Sequence, residues 1–164
     1  MDKTSLKIAW YALTIFLSSA LLLVLEVVAG RLIAPYVGVS LYTWTAVIGI
    51  ILAGLSAGNW IGGVWADRGA GEQAAGVTLM GAALASLAIP LILVIVAPSI
   101  QTSEMSLLSA SLLLVLCLFF FPALLLGIVT PLLTTLALRM SSRTGHIVGM
   151  MHALAAVGSI AGTF

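Results

Sequence analysis

The sequence predicts an all-α, polytopic transmembrane bundle of about five helices, on three observations. Hydrophobic residues make up 62% of the chain and charged residues only 7%. The mean hydropathy is +1.28, and Leu, Ala, Val, Ile and Gly fill long stretches between short polar punctuations. A run of about 20 apolar residues is enough to cross the hydrocarbon core of a bilayer. Lipid offers no water to the backbone, so only helices or closed barrels span it. The ten-residue alternation of barrel strands is absent from this sequence.

The first helix is expected over residues 8–30. Lys3 and Lys7 ahead of it resemble the start of a signal peptide, but the apolar run is too long for one and lacks a small-x-small cleavage site. Glu26 lies about 6 Å below the expected outer end at Gly30. Arg31 follows five residues later, about 140° around a straight helix, so a direct pair needs the helix to open at Gly30. Pro35 to Gly38 then forms a turn. The second helix is expected over 41–65 and the third over 74–96, with a kink at Pro90. The fourth begins near 106 and runs to 132 or 138. Pro122 and Pro131 are expected to bend or break it, its end lying along the inner surface. The fifth covers 146–164. One transmembrane domain thus fills residues 1–164. With no polar flank after "GSIAGTF", the chain is expected to be part of a longer polypeptide or to be completed by a partner.

Orientation follows from the basic residues. Lys3, Lys7, Arg68, Arg139 and Arg143 share one side of this topology and only Arg31 takes the other, which predicts a cytoplasmic N-terminus. Trp10, Tyr11, Trp60 and Trp65 then mark the inner interface, and Tyr36, Tyr42 and Trp44 the outer one. A net charge of +1 provides no field for nucleic acid. The lone Cys117 reads as a buried hydrophobe. No metal-ligand spacing, cofactor motif or catalytic constellation occurs, so the chain by itself is not expected to be an enzyme.

Helices in lipid associate through close backbone approach and polar contacts. Gly54, Gly58 and Gly62 draw one stripe on the second helix. Gly145, Gly149 and Ala153, then Gly158 and Gly162, mark the fifth, and Ala74, Thr78, Ala82 and Ser86 the third. Within the apolar runs, Glu26, Arg31, Asn59 and His152 are the substrate or ion candidates, because intramembrane polar groups are functional candidates by default. For each a structural role competes. Glu26 and Arg31 can fix the outer turn, while Asn59 and His152 can bond to another helix. Thr130 can bond back to a carbonyl freed by Pro131. Asp67 and Arg68, in "GGVWADRGAG", are candidates for a helix-loop latch.

The stretches "LEVVAGRLIAPYVGVSLYTWTAVIGIILAGLSAGNWIGGVWADRG", "FPALLLGIVTPLLTTLALR" and "GHIVGMMHALAAVGSIAGTF" resemble the membrane half of the fused major-facilitator-like, spermidine-synthase-like proteins. The "ADRG" segment also resembles the cytoplasmic loop between helices two and three of major facilitator transporters. The resemblance implies part of the N-terminal half of a facilitator fold, in the inner membrane of a bacterial or archaeal cell. It implies a polyamine or another small organic cation as ligand, with Glu26 as counter-charge. The family's synthase half is missing from these residues. His152, Ala155 and Ala156 stand where family members carry an aromatic and a polar pair. The expected partners are the lipid bilayer and either further copies of the chain or other membrane subunits. The competing reading is a membrane anchor or accessory subunit that moves nothing.

Overall fold

The computed structural model describes residues 3–101 and 105–164. It contains five helices: α1 (Lys3–Val37), α2 (Leu41–Asp67), α3 (Glu72–Gln101), α4 (Leu107–Leu138) and α5 (Thr144–Thr163). Each is long and apolar enough to cross a membrane, so the chain has the build of a multi-pass membrane protein. Ser40 caps α2 by accepting from the Thr43 amide at 3.2 Å. Ser106 caps α4 in the same way, through the Ser109 amide. Both caps satisfy an amide that the first helical turn leaves free.

α4 is the hub. It packs on α1, α2, α3 and α5, most extensively on α2, and α5 otherwise packs mainly on α1. Phe119, Leu114, Leu118, Ile128 and Leu132 of α4 are fully buried, as expected of a helix apolar all round. Two clusters of buried residues stack along it. One gathers α1, α2, α3 and α4 around Phe119, and the other gathers all five helices around Leu132 and Met151. On α3, Val77, Met80, Leu84, Leu87, Leu91 and Val94 all face outward. Their three- and four-residue spacing paints one apolar stripe, suited to lipid contact.

The glycine stripe of α2 does what its spacing predicts. A side chain at Gly54 would meet the Phe120 carbonyl oxygen at 2.8 Å, and one at Gly62 the Ile128 carbonyl oxygen at 2.5 Å. Gly58 lies closer still to Leu124, and Gly127 of α4 answers from the other side. On α5, Gly158 and Gly162 seat the helix on the backbone of Phe16 and Ala20 of α1. Gly145 and Gly149 have open space around them, so Gly149 is not a packing residue. It lies on the exposed face of α5, whereas Ile147 and Met151 on either side of it are buried. On α3 the buried line is Ala75, Thr78, Ala82, Ile89, Leu93 and Ala97. Thr78 and Ala82 of the expected stripe belong to it, whereas Ala74 and Ser86 lie at its margin.

Three expectations need correction. α1 does not end or open at Gly30 but continues to Val37, with Pro35 inside its last turns. Gly30 is small because the Trp44 indole lies over it, where a side chain would come within 2.8 Å of the ring. The chain turns at Gly38, whose φ of 75° suits glycine and whose amide donates to the Ala34 carbonyl at 2.8 Å. α3 continues past Pro90 and Pro98, and α4 does not break at Pro122 or Pro131, because neighbouring helices re-satisfy the backbone groups a proline frees. Cys117 is exposed rather than buried.

Three contacts tie the bundle together at the end where Lys7, Arg68, Arg139 and Arg143 gather. Arg139, the C-cap of α4, donates to the Ala66 carbonyl at the close of α2 at 2.6 Å. Glu72, the first residue of α3, takes the Lys7 ammonium at 3.1 Å and accepts from the Tyr11 hydroxyl, both from α1. The expected latch residues Asp67 and Arg68 are exposed, and neither side chain has a partner among the described residues. The Arg139→Gln variant should lose about 1–2 kcal/mol of stability, the scale of a hydrogen bond from a charged donor. Arg143→Gln should change little, since that guanidinium makes no such bond. Comparing detergent unfolding midpoints of the two variants checks this, and equal midpoints would remove the latch role from Arg139.

Candidate functional site: a polar cleft between helices

α1, α2, α4 and α5 enclose a cleft of about 550 Å³. α1 contributes Ser19 and Leu22, α2 Leu55 and Asn59, and α5 His152, Ala155, Ala156 and Ser159. The floor is the α4 sequence Thr-Pro-Leu-Leu-Thr-Thr, through Thr130, Pro131, Thr134 and Thr135. α2 and α5 stand on either side without packing on each other. The cleft is therefore open between them. Three- and four-residue steps bring the lining residues of each helix to one face.

Six hydroxyls elsewhere in the bundle are satisfied within their own helix. Thr14, Ser18, Thr45, Thr78, Ser111 and Thr163 each donate to the carbonyl four residues earlier in their own helix. That is the usual way for a membrane helix to satisfy a hydroxyl. Ser19, Thr130, Thr134, Thr135 and Ser159 make no such bond. Thr134 is the extreme case: its Oγ1 is buried and has no partner at all. An enclosed hydroxyl without a partner costs free energy unless a ligand or water satisfies it. Thr130 does not bond back to a carbonyl as expected, and its hydroxyl remains available to the cleft.

Asn59 and His152 are brought together by the fold, both lining the cleft and both exposed. Neither makes the interhelical hydrogen bond expected of it. α2 packs mainly on α4 and α5 mainly on α1, which leaves each polar group at the opening. No carboxylate lines this cleft, and no group of His, Cys, Asp and Glu suited to a metal ion occurs among the described residues.

Glu26 stands apart from them. It shares the α1 face of Ser19 and Leu22, three to four residues at a time, and lies one turn beyond the cleft. It is half-buried, and no side chain pairs with it among the described residues. Since α1 continues to Val37, Glu26 lies about 16 Å below that end, much deeper than a helix ending at Gly30 would put it. From Lys7 to Tyr36, α1 rises about 43 Å, close to the full thickness of a bilayer with its headgroups. On that scale Glu26 is about 7 Å from the midpoint. Arg31 is exposed near the far end and does not pair with Glu26, as the straight-helix geometry requires. The register of Gly158 on Phe16 sets His152 level with Trp10, about 24 Å along the axis from Glu26. The two titratable candidates are thus separate.

The sequence reading missed Ser19, Thr134, Thr135 and Ser159. The available signal was the hydroxyl-rich stretch 130–135, three threonines around a proline in an otherwise apolar helix. Lys7, Tyr11, Glu72 and Arg139 as tethers had no comparable signal, since each is an ordinary helix-end residue until the neighbouring end is placed. No family model, curated protein or solved structure matches this chain.

Proposed function

We propose that this chain is the membrane module of a spermidine-synthase-like membrane protein and that it binds and conducts a small organic cation of the polyamine class. The carrying observation is the cleft itself: a polar-lined opening through helices that are apolar on nearly every other face. Membrane helices keep polar groups for aqueous paths or for one another, and these groups do not satisfy one another. The narrow strip from His152 past the hydroxyls to the α1 face below Glu26 suits a linear molecule. Glu26 supplies a carboxylate for an ammonium at one end, and neutral oxygens solvate the remainder. Asn59 and His152 would be costly against lipid, so the open side is covered by a second copy or by further helices. The gathering of Arg68, Arg139 and Arg143 at that end supports a cytoplasmic N-terminus in a cell membrane.

The test is saturable uptake of labelled spermidine or putrescine into liposomes containing the purified chain, against empty liposomes. Asn59→Leu should cut uptake about tenfold by removing a polar lining group from an enclosed site, without affecting insertion. Absence of saturable uptake and binding in the wild type, with a co-purifying membrane subunit, would leave the anchor reading in its place.

A further inference from the structure

We infer that the floor of the cleft is a second cation position, built from neutral oxygens and selective for a singly charged species. The inference rests on the ligand-binding reading of the cleft but not on Glu26, and it assigns the site to Thr130, Pro131 and Thr134.

Three observations converge on α4. The Thr134 hydroxyl is enclosed and lacks any partner. Thr130, one turn earlier, also leaves its hydroxyl unbonded, although six hydroxyls elsewhere take the local carbonyl. Between them Pro131 lines the same wall. It has no amide hydrogen, so the Gly127 carbonyl one turn earlier is denied its ordinary helical donor. One short segment therefore lines the cleft with two hydroxyls that the helix does not use. Asn59 and Ser19 offer further oxygens around the same space.

The chemistry of that set specifies its ligand. Oxygen donors from hydroxyls and carbonyls suit hard cations and ammonium groups rather than soft metals. The absence of any carboxylate in the lining favours one positive charge over two, because neutral dipoles cannot repay the desolvation of a divalent ion. An ammonium group presents the same charge with hydrogen-bond donors, which the lone Thr134 oxygen can accept. The shared chemistry is thus a monovalent, oxygen-solvated cation, supplied either as an alkali ion or as the second ammonium of a linear amine.

The experiment follows thermal unfolding of the full chain in lipid nanodiscs at pH 8 and constant ionic strength. N-methyl-D-glucamine chloride is the reference, and sodium chloride or methylammonium chloride is exchanged for it. A higher midpoint with sodium assigns the alkali source, and one with methylammonium in sodium-free buffer assigns the ammonium source. In either case Thr134→Val should weaken the response about tenfold or more, the scale of one hydrogen bond to a charged group. Thr134→Ser should retain it. Identical midpoints in all three salts would overturn the inference, as would an undiminished response in Thr134→Val. Should that variant fail to fold, direct binding of labelled sodium and methylammonium to the wild type decides, and no saturable binding of either overturns it. A wild-type midpoint shift that Thr134→Val removes, in a protein that shows no saturable spermidine uptake, upholds this inference while the transport reading falls, so the two failures are distinguishable.

Discussion

Gly58→Val is expected to prevent α2 from docking on α4, with a loss of about 3 kcal/mol or more in unfolding free energy. The added carbon at position 58 would fall on the Leu124 carbonyl oxygen, with the Gly127 Cα only 3.0 Å away. Both obstacles are backbone, so no rotamer change makes room. The helices would have to separate along the broadest contact in the bundle. In lipid that separation removes the main source of cohesion, because apolar burial gives helices no advantage over lipid tails and close van der Waals approach does most of the work. Gly149→Ala is the matched control. Nothing lies within 4 Å of a side chain there, so alanine should be neutral or stabilise by about 0.5–1 kcal/mol through its better helix propensity. Unfolding in mixed detergent micelles measures both. A Gly58→Val protein within about 1 kcal/mol of the wild type would show that the α2–α4 approach is not needed for the bundle.

Glu26→Gln is expected to weaken spermidine binding about a hundredfold while leaving insertion and unfolding unchanged. Removing one partner of a desolvated charge pair costs several kcal/mol, and the amide keeps the size and hydrogen bonding of the carboxylate. The structure offers no substitute charge: Glu26 is half-buried without a partner, and no acid lines the cleft one turn away. Because Glu26 has no internal ion pair to lose, fold stability should not follow the change in affinity. Glu26→Asp keeps the charge and should bind more weakly than the wild type but more tightly than Glu26→Gln. Equilibrium binding in nanodiscs reads all three, and an unchanged affinity in Glu26→Gln would remove this residue from the site.

The comparison of Gly58 with Gly149 shows what periodicity conveys and where it stops. Both lie in four-residue stripes of small residues, yet only Gly58 meets a partner. A stripe records that a helix face is smooth, while the height at which a second helix crosses it depends on the whole bundle. Gly30 gives the same lesson for backbone shape. Glycine permits a break there, but the helix keeps its hydrogen bonds, and the residue is small to accommodate Trp44 from the next helix. That difference carried Glu26 about 10 Å deeper, from the boundary into the interior.

Composition and the basic-residue pattern by themselves determined five helices, their approximate limits and an up-down arrangement. The reason is that lipid enforces local rules: backbone bonds close within each span, and span length must match bilayer thickness. The cleft was decided only by tertiary structure. Ser19, Asn59, Thr134 and His152 are far apart in sequence, and nothing local distinguishes a hydroxyl that satisfies its own helix from one left open. That distinction arises where α2 and α5 stand apart over α4, leaving the Thr134 hydroxyl enclosed and without a partner.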